Sequence, residues 1–367
     1  MLRKISPRGN SFGRERCCRR LSPLVLSLAL LCAAPNSPVS ASSAQGKQAT
    51  EERKKPSKPE LESHGPQKNE EQQKGYSIGV NVDLVVVHTS VYDKNGHFVG
   101  GLKKENFKVF EDGVAQGMTA FSQEDVPVSM GILIDTSGSM RSKIEMVNKA
   151  ALALIRASNP QDEVFLIGFS DEVELLEDYT NDIDLISDSL DNIVVTGGTA
   201  LYDAIHLGVQ KAEHGTKPKK AVIVITDGED RDSYYKLEEL LAKVQEADAQ
   251  VYCIGFTNPL PDKGLFGHWS KSVPEKAREA LQKIAEETGG KAFFPEKTPE
   301  LGNIVSTIAH ELRSQYSIGF VSSNRARDGS WRRLRIVLDG PNTTTGHHVR
   351  ARTGYFSPKV AEASKTQ

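Results

Sequence analysis

No stretch of this sequence is apolar for long enough to cross a membrane as a helix, which takes about 20 residues. The longest apolar run, Leu21 to Ala34, falls short of that, and Lys4, Arg8, Arg14, Arg16, Arg19 and Arg20 precede it. An excess of charge of one sign is lacking too. The 46 Lys and Arg stand against 48 Asp and Glu, a net charge of −2, so no global field draws the chain to nucleic acid or to an anionic membrane. Cysteine is sparse: Cys17, Cys18 and Cys32 lie before Ala41 and only Cys253 lies beyond it. A chain cut near Ala41 can form no internal disulfide.

Hydrophobic residues are also short, at 38% of the chain against roughly 45–50% in ordinary globular domains. The deficit sits at the N-terminus. A basic start, an apolar run and Val39-Ser40-Ala41 predict an export signal over residues 1–41 that is removed by cleavage. The mature chain is then expected in the periplasm or outside the cell, with no membrane span. Leu31, large where lipoprotein processing needs a small residue before Cys32, argues against a lipid anchor, and Arg19-Arg20 is weak support for twin-arginine export. Residues 42–75 are rich in Lys, Glu, Gln, Ser and Pro and cannot bury enough surface to offset ordering entropy. They are expected to be a disordered linker, and residues 359–367 a disordered tail.

The remaining chain changes its hydrophobic period twice, which predicts three segments. Residues 76–126 are strand-like, with Val80 to Tyr92 leading to an Asn95-Gly96 turn, and Phe107 to Phe110 passing Asp112-Gly113 before Met118 to Phe121 returns as a hairpin. Residues 127–313 alternate strands and helices. The apolar runs Ser129–Ile134, Val164–Phe169, Ala221–Thr226 and Val251–Phe256 read as parallel strands covered on both faces. Helical patterns lie around 143–157, 182–193, 200–213, 237–247, 274–288 and 299–314, and Val173 to Tyr179 reads as an antiparallel edge strand. This alternation predicts a doubly wound, mainly parallel α/β domain. Residues 314–358 return to strands, at Tyr316–Val321, Trp331–Leu338 and His348–Tyr355, and are expected to join residues 76–126 in one flanking all-β domain. Asn258 to Ser272 reads as an inserted, solvent-exposed loop.

Asp135-Thr136-Ser137-Gly138-Ser139 follows an apolar strand directly, at the carboxyl end where open α/β sheets bind ligands. It offers one carboxylate and two hydroxyls at alternate positions. A second strand delivers Asp227, and Gly197-Gly198-Thr199 opens a helix. Asp135, Ser137, Ser139, Thr199 and Asp227 are hard oxygen donors with no nitrogen or sulfur, which suits Mg²⁺ above all, or Mn²⁺ or Ca²⁺, rather than zinc. The plainer reading of the first loop alone is a turn and helix cap. Three loops in this order on one sheet edge favour the ion.

These residues, with the Thr of GGTALYDAI and the Asp of TDGED, resemble the complete metal-ion-dependent adhesion site of the von Willebrand factor type A fold over Pro127 to about Arg313. The resemblance implies that Ser137 and Ser139 bind the ion directly and that Asp135, Thr199 and Asp227 do so directly or through water. The flanks, VDLVVVHTSVYDKNGHFVGGLKKENFKVFEDGVAQ before and QYSIGF, DGSWRRLRIVL and VRARTGYF after, resemble secreted bacterial proteins called VWFA-related. The function implied is adhesion: a protein partner's carboxylate held through the cation, without catalysis.

The enzymatic alternative is a Mg²⁺-dependent phosphatase of haloacid-dehalogenase type, but Ser137 stands where it needs a second Asp for acid-base work. A serine hydrolase would need a Gly-x-Ser-x-Gly elbow, which is missing. A third reading is a scaffold in which the ion only locks the loops. Glu229, Asp230 and Asp232 read as a solvated acidic loop. His206 reads as a helix-surface or core side chain, Cys253 as a small buried hydrophobe, and Tyr234-Tyr235 as a helix start that could also rim the metal face.

Overall fold

The structure, a computed structural model, describes residues 83–256, 272–340 and 346–359. The export signal, the linker and all but the last residue of the Asn258 to Ser272 insertion lie outside these residues. The chain opens with β1 (Leu84–Tyr92), β2 (Phe107–Glu111), β3 (Val114–Gln116) and β4 (Met118–Ser122). It continues through β5 (Val128–Asp135), α1 (Ile144–Ala157), β6 (Glu163–Phe169), β7 (Val173–Thr180), α2 (Ile183–Asp191), α3 (Leu201–Glu213), β8 (Lys219–Thr226), α4 (Leu237–Glu246), β9 (Gln250–Gly255), α5 (Val273–Thr288), β10 (Ala292–Phe293) and α6 (Leu301–Ser314). It closes with β11 (Tyr316–Val321), β12 (Trp331–Leu338), β13 (His348–Arg350) and β14 (Gly354–Phe356).

The central sheet runs β10-β9-β8-β5-β6-β7. Its pairings are parallel except that of the edge strand β7 with β6, which is antiparallel. All eight residues of β5 are buried because the strand is covered twice. Met130, Ile132 and Ile134 pack into a cluster with Val147, Leu154 and Ile308, whereas Leu133 packs with Ile205, Val209 and Leu281 on the other face. The strand alternation of side chains thus feeds two helical layers, each fully buried Leu or Ile contributing roughly 1.5–3 kcal/mol. The predicted doubly wound α/β architecture is the one found.

The flanking strands form two four-stranded sheets, β13-β1-β11-β4 and β14-β12-β2-β3, joined by one core that includes Val87, Phe107, Tyr316, Phe320 and Leu334. N- and C-terminal segments interleave in both: β1 pairs with β11 and β2 with β12. Two local expectations need correction. Phe107–Phe110 and Met118–Phe121 are not one hairpin, since β2 pairs with the short β3 and the chain crosses at Gly117 so that β4 pairs with β11 in the other sheet. Likewise His348–Tyr355 is two strands: β13 pairs with β1 and β14 with β12. In both cases a single apolar pattern serves two sheets, because strand periodicity is silent about the partner.

The two layers are latched by a buried acid. Glu311 of α6, 1% exposed, pairs with Arg350 of β13 and accepts hydrogen bonds from Ser90 Oγ and Tyr252 Oη, both at 2.9 Å. Burial pushes its carboxyl up, but the Arg350 charge and the hydrogen bonds outweigh this and hold it below the ordinary value. Removing one partner of such a pair leaves an uncompensated buried charge. Glu311→Ala is therefore expected to lower the unfolding free energy by about 3–5 kcal/mol, measured by urea denaturation; a loss below 1 kcal/mol, the scale of an exposed pair, would contradict this account.

Lys219, 2% exposed, starts β8 and donates from Nζ to the Leu312 carbonyl of α6 at 3.0 Å. Burial lowers its pKa from the ordinary 10.5 to about 8. Between these values the unfolded chain holds a proton that the folded chain has released, so stability rises with pH across that window. Lys219→Met should flatten this rise. Urea midpoints of the two proteins followed from pH 8 to pH 10.5 check it, and parallel curves would count against it.

Candidate metal centre

Because β5, β6, β8 and β9 run parallel, their carboxyl ends deliver loops to one sheet edge. Asp135 ends β5 and is wholly buried. Its Oδ1 accepts the Ser137 amide at 2.9 Å and its Oδ2 accepts the Thr226 hydroxyl at 2.7 Å. Burial raises its pKa; the hydrogen bonds from Ser137 and Thr226 oppose the rise, and the neighbouring Asp227 charge adds to it. Beyond it the chain turns into a short 3₁₀ segment, Gly138–Ser142, with Ser137 at its N-cap. The Ser137 and Ser139 hydroxyls stand 3.0 Å apart. Ser137 is 2% exposed while Ser139 is exposed, so the donors run from a buried floor to an open mouth.

The Thr199 loop is laced to this one. The Thr196 amide donates to the Thr136 carbonyl at 2.9 Å, and the Gly138 amide to Gly197 at 3.3 Å. Gly197 sits at φ +75° and Gly198 has no room for a side chain, since a Cβ there would lie 1.9 Å from Asp232 Oδ2. That carboxylate accepts the Thr199 amide at 2.7 Å, which fixes a threonine that is 5% exposed.

Asp227 follows β8, whose last residue, Thr226, accepts the Gly228 amide while donating to Asp135. A lysine reaches the same place: Lys143 Nζ lies 3.6 Å from Asp227 Oδ2 and donates to the Ser139 carbonyl at 3.2 Å. The Lys143 ammonium group thus stands between the Asp227 carboxylate and the Ser139 carbonyl. Among the described residues no three His, Cys, Asp or Glu side chains converge as a metal cluster, so a cation here would rely on hydroxyls beside two carboxylates. That donor chemistry fits a hard divalent ion.

Asp135, Ser137 and Ser139 are thus joined by direct contacts and Asp227 by its charge and Lys143, whereas Thr199 is tied to them only through its loop neighbours Thr196 and Gly197. Asp232 is exposed, as the reading of a solvated loop expects, and Asp230 is partly buried, yet each also holds backbone of a neighbouring loop. Asp232 positions Thr199, and Asp230 accepts from Tyr202 N at 3.1 Å and Ser233 Oγ at 2.5 Å, both serving the start of α3. Glu229 alone pairs outward, with Arg231. Asp203 holds the amides of Tyr234 and Tyr235; Tyr235 stacks on His206 at 4.1 Å, and Tyr234 stays 85% exposed. Cys253 is buried, and burial raises its thiol to about 12, so it is no nucleophile. Sequence reasoning passed over Thr226 and Lys143, and gave Asp232 no part in the site; for all three the only signal was proximity to a motif.

Comparison with known proteins follows the same segment. The family profile of the von Willebrand factor type A domain matches residues 130–307. An uncharacterized protein of Synechocystis sp. is 25% identical over 199 residues, 51% of this chain and 44% of that protein. One from Borreliella burgdorferi is 19% identical over 219 residues, 59% of this chain and 60% of that protein. Each match thus spans less than two thirds of the relative. Among solved structures, a von Willebrand factor type A protein from Catenulispora acidiphila is 12% identical, covers 77% of this chain and 76% of its own, and has a TM-score of 0.42. The PilB minor pilin from Streptococcus sanguinis is 14% identical, with 52% and 62% covered and a TM-score of 0.40. The vWF domain of the pili tip protein Mfa5 from Porphyromonas gingivalis is 13% identical, with 51% and 97% covered and a TM-score of 0.40. Residues 130–307 of this chain are thus its von Willebrand factor type A domain.

Proposed function

We propose that this domain is an exported, non-enzymatic binding module that grips an acidic group of a protein partner through a divalent cation, Mg²⁺ foremost, held by Asp135, Ser137, Ser139, Thr199 and Asp227. The observation that carries the reading is the buried Asp135 carboxylate beside Asp227, with two hydroxyls 3.0 Å apart above it. When bound, the ion supplies an electrophilic position that a partner's carboxylate oxygen can fill. The protein's own groups do the rest. Thr226 and the Ser137 amide fix Asp135 in one rotamer, Asp232 fixes Thr199, and Lys143 offsets the charge of Asp227 on the open side.

Ser137 at the position where a phosphatase needs a second carboxylate supports binding over phosphoryl transfer. The hydrogen bonds from Thr196 to Thr136 and from Gly138 to Gly197 already tie the loops, which favours a gripping ion over one that merely locks them. Among the described residues no helix is long and apolar enough to cross a membrane, in keeping with an exported domain.

Asp135→Ala should abolish Mg²⁺ and Mn²⁺ binding in titration calorimetry while the far-ultraviolet circular dichroism stays that of the parent. Unchanged metal affinity in this variant would sink the assignment. Pull-down of the partner with and without chelator separates grip from scaffold: a partner retained equally in both leaves the ion a purely structural part.

A further inference from the structure

Beside the metal loops runs a groove of about 950 Å³. The turn between β6 and β7 and the edge strand β7 form one side, and the segment after α2 forms the other. Asp171, Glu172 and Glu174 line it together with Val173, Leu175 and Val194. No Lys or Arg lines it, and among the described residues none of the three acids forms an ion pair. Leu175 is 43% and Val194 74% exposed, large aliphatic surfaces that no other part of the described chain covers.

The groove is continuous with the candidate metal centre. Thr136 and Thr196, which hydrogen-bond to each other across the loops at 2.9 Å, belong to its wall. The Ala200 amide donates to the Ser170 carbonyl. Asp171 lies so close to Gly197 that a Cβ there would meet its Oδ1 at 1.9 Å. A segment anchored at the ion therefore passes directly over an acidic and aliphatic surface.

We propose that the groove is the specificity subsite of the metal grip, and that it takes a partner segment in which the anchoring carboxylate is followed by basic and aliphatic side chains. The proposal rests on the metal-bridged reading above. Charge complementarity selects this occupant. Asp171, Glu172 and Glu174 repel an acidic tail, a nucleic acid or an anionic lipid headgroup, whereas Lys or Arg side chains meet all three. Leu175 and Val194 give aliphatic side chains an apolar surface to cover.

Fluorescence anisotropy of the whole chain in Mg²⁺ tests this with two synthetic peptides of equal length. One carries a glutamate followed by alternating lysine and leucine, the other a glutamate followed by alternating serine and leucine. The lysine peptide should bind roughly fivefold to tenfold more tightly, and added salt should erode that advantage. The exposed pair E172Q/E174Q should abolish the advantage while leaving the serine peptide unaffected, and Val194→Ser should weaken both. Equal affinity for the two peptides, a preference that survives E172Q/E174Q, or no peptide binding by a chain that does bind Mg²⁺ would each overturn the groove assignment. The metal reading fails separately. A lysine preference that persists unchanged in chelator and in Asp135→Ala supports the groove and refutes the ion bridge.

Discussion

A carboxylate wholly out of water at the tip of the central strand is the constraint around which this domain is arranged. Asp135 cannot be left unpartnered there, because an isolated buried charge is far costlier than a buried hydrogen-bonded one. Its two oxygens take the Ser137 amide and the Thr226 hydroxyl. The first bond bends the chain into the turn that raises Ser137 and Ser139, and the second ties the tip of β5 to that of β8. Thr226 accepts from Gly228 as it donates to Asp135, so the bend that carries Asp227 is set by the same hydroxyl. The like charge of Asp227 then works against ionisation of Asp135. Two neighbouring carboxylates are electrostatically comfortable only with positive charge nearby, and Lys143 brings one such charge from the start of α1.

The β-rich flank obeys the same rule with different chemistry. Buried acids here have guanidinium partners: Glu311 of α6, where the flank meets that helix, has Arg350 of β13, and Glu111 of β2, 3% exposed, faces Arg332 and accepts from Tyr355 at 2.8 Å. Each of these pairs joins segments far apart in sequence. The chain leaves β4 for the α/β region and returns through α6 to β11, and Arg313 donates to Asp125 at 2.9 Å between the two crossings. Departure and return are thus neighbours, which is what lets an α/β domain sit within a strand-built flank without opening either core. Glu311 and Glu111 each have a cation opposite. The site edge differs in keeping its acids short of partners.

Much of this was legible in the sequence because the informative signals are local. Apolar runs such as Gly131 to Ile134 followed at once by Asp135 identify a buried parallel strand and the edge it ends on. Ser137 and Ser139 follow at alternate positions. What could not be read depends on partner choice. The pattern of Met118 to Ser122 is the same whether it pairs with β2 or crosses to β11, and only Gly117 hints at the switch. Asp232 looks like any acid in a polar loop until a glycine 34 residues earlier leaves room for its carboxylate at the Thr199 amide. Glu311 lies on the buried face of an amphipathic helix, and nothing near it announces that Arg350 will be opposite.

Charge segregation gives the site edge its character. The chain as a whole is almost neutral, yet Asp135, Asp171, Glu172, Glu174 and Asp227 gather around one end of the central sheet, with Lys143 the cation placed among the loops. Arg141, which donates to the Val195 carbonyl at 3.1 Å beside the groove, adds a second cation, and the two offset part of the acidic charge. In the binding mode proposed above, an intervening cation screens the repulsion between this edge and a partner's carboxylate, and each acid bordering the path adds to what it must screen. The same field rewards positive charge next to the anchoring carboxylate. On the two proposals above, a partner segment that is acidic at one residue and basic at its neighbours satisfies both conditions at once, and a single electrostatic arrangement underlies both.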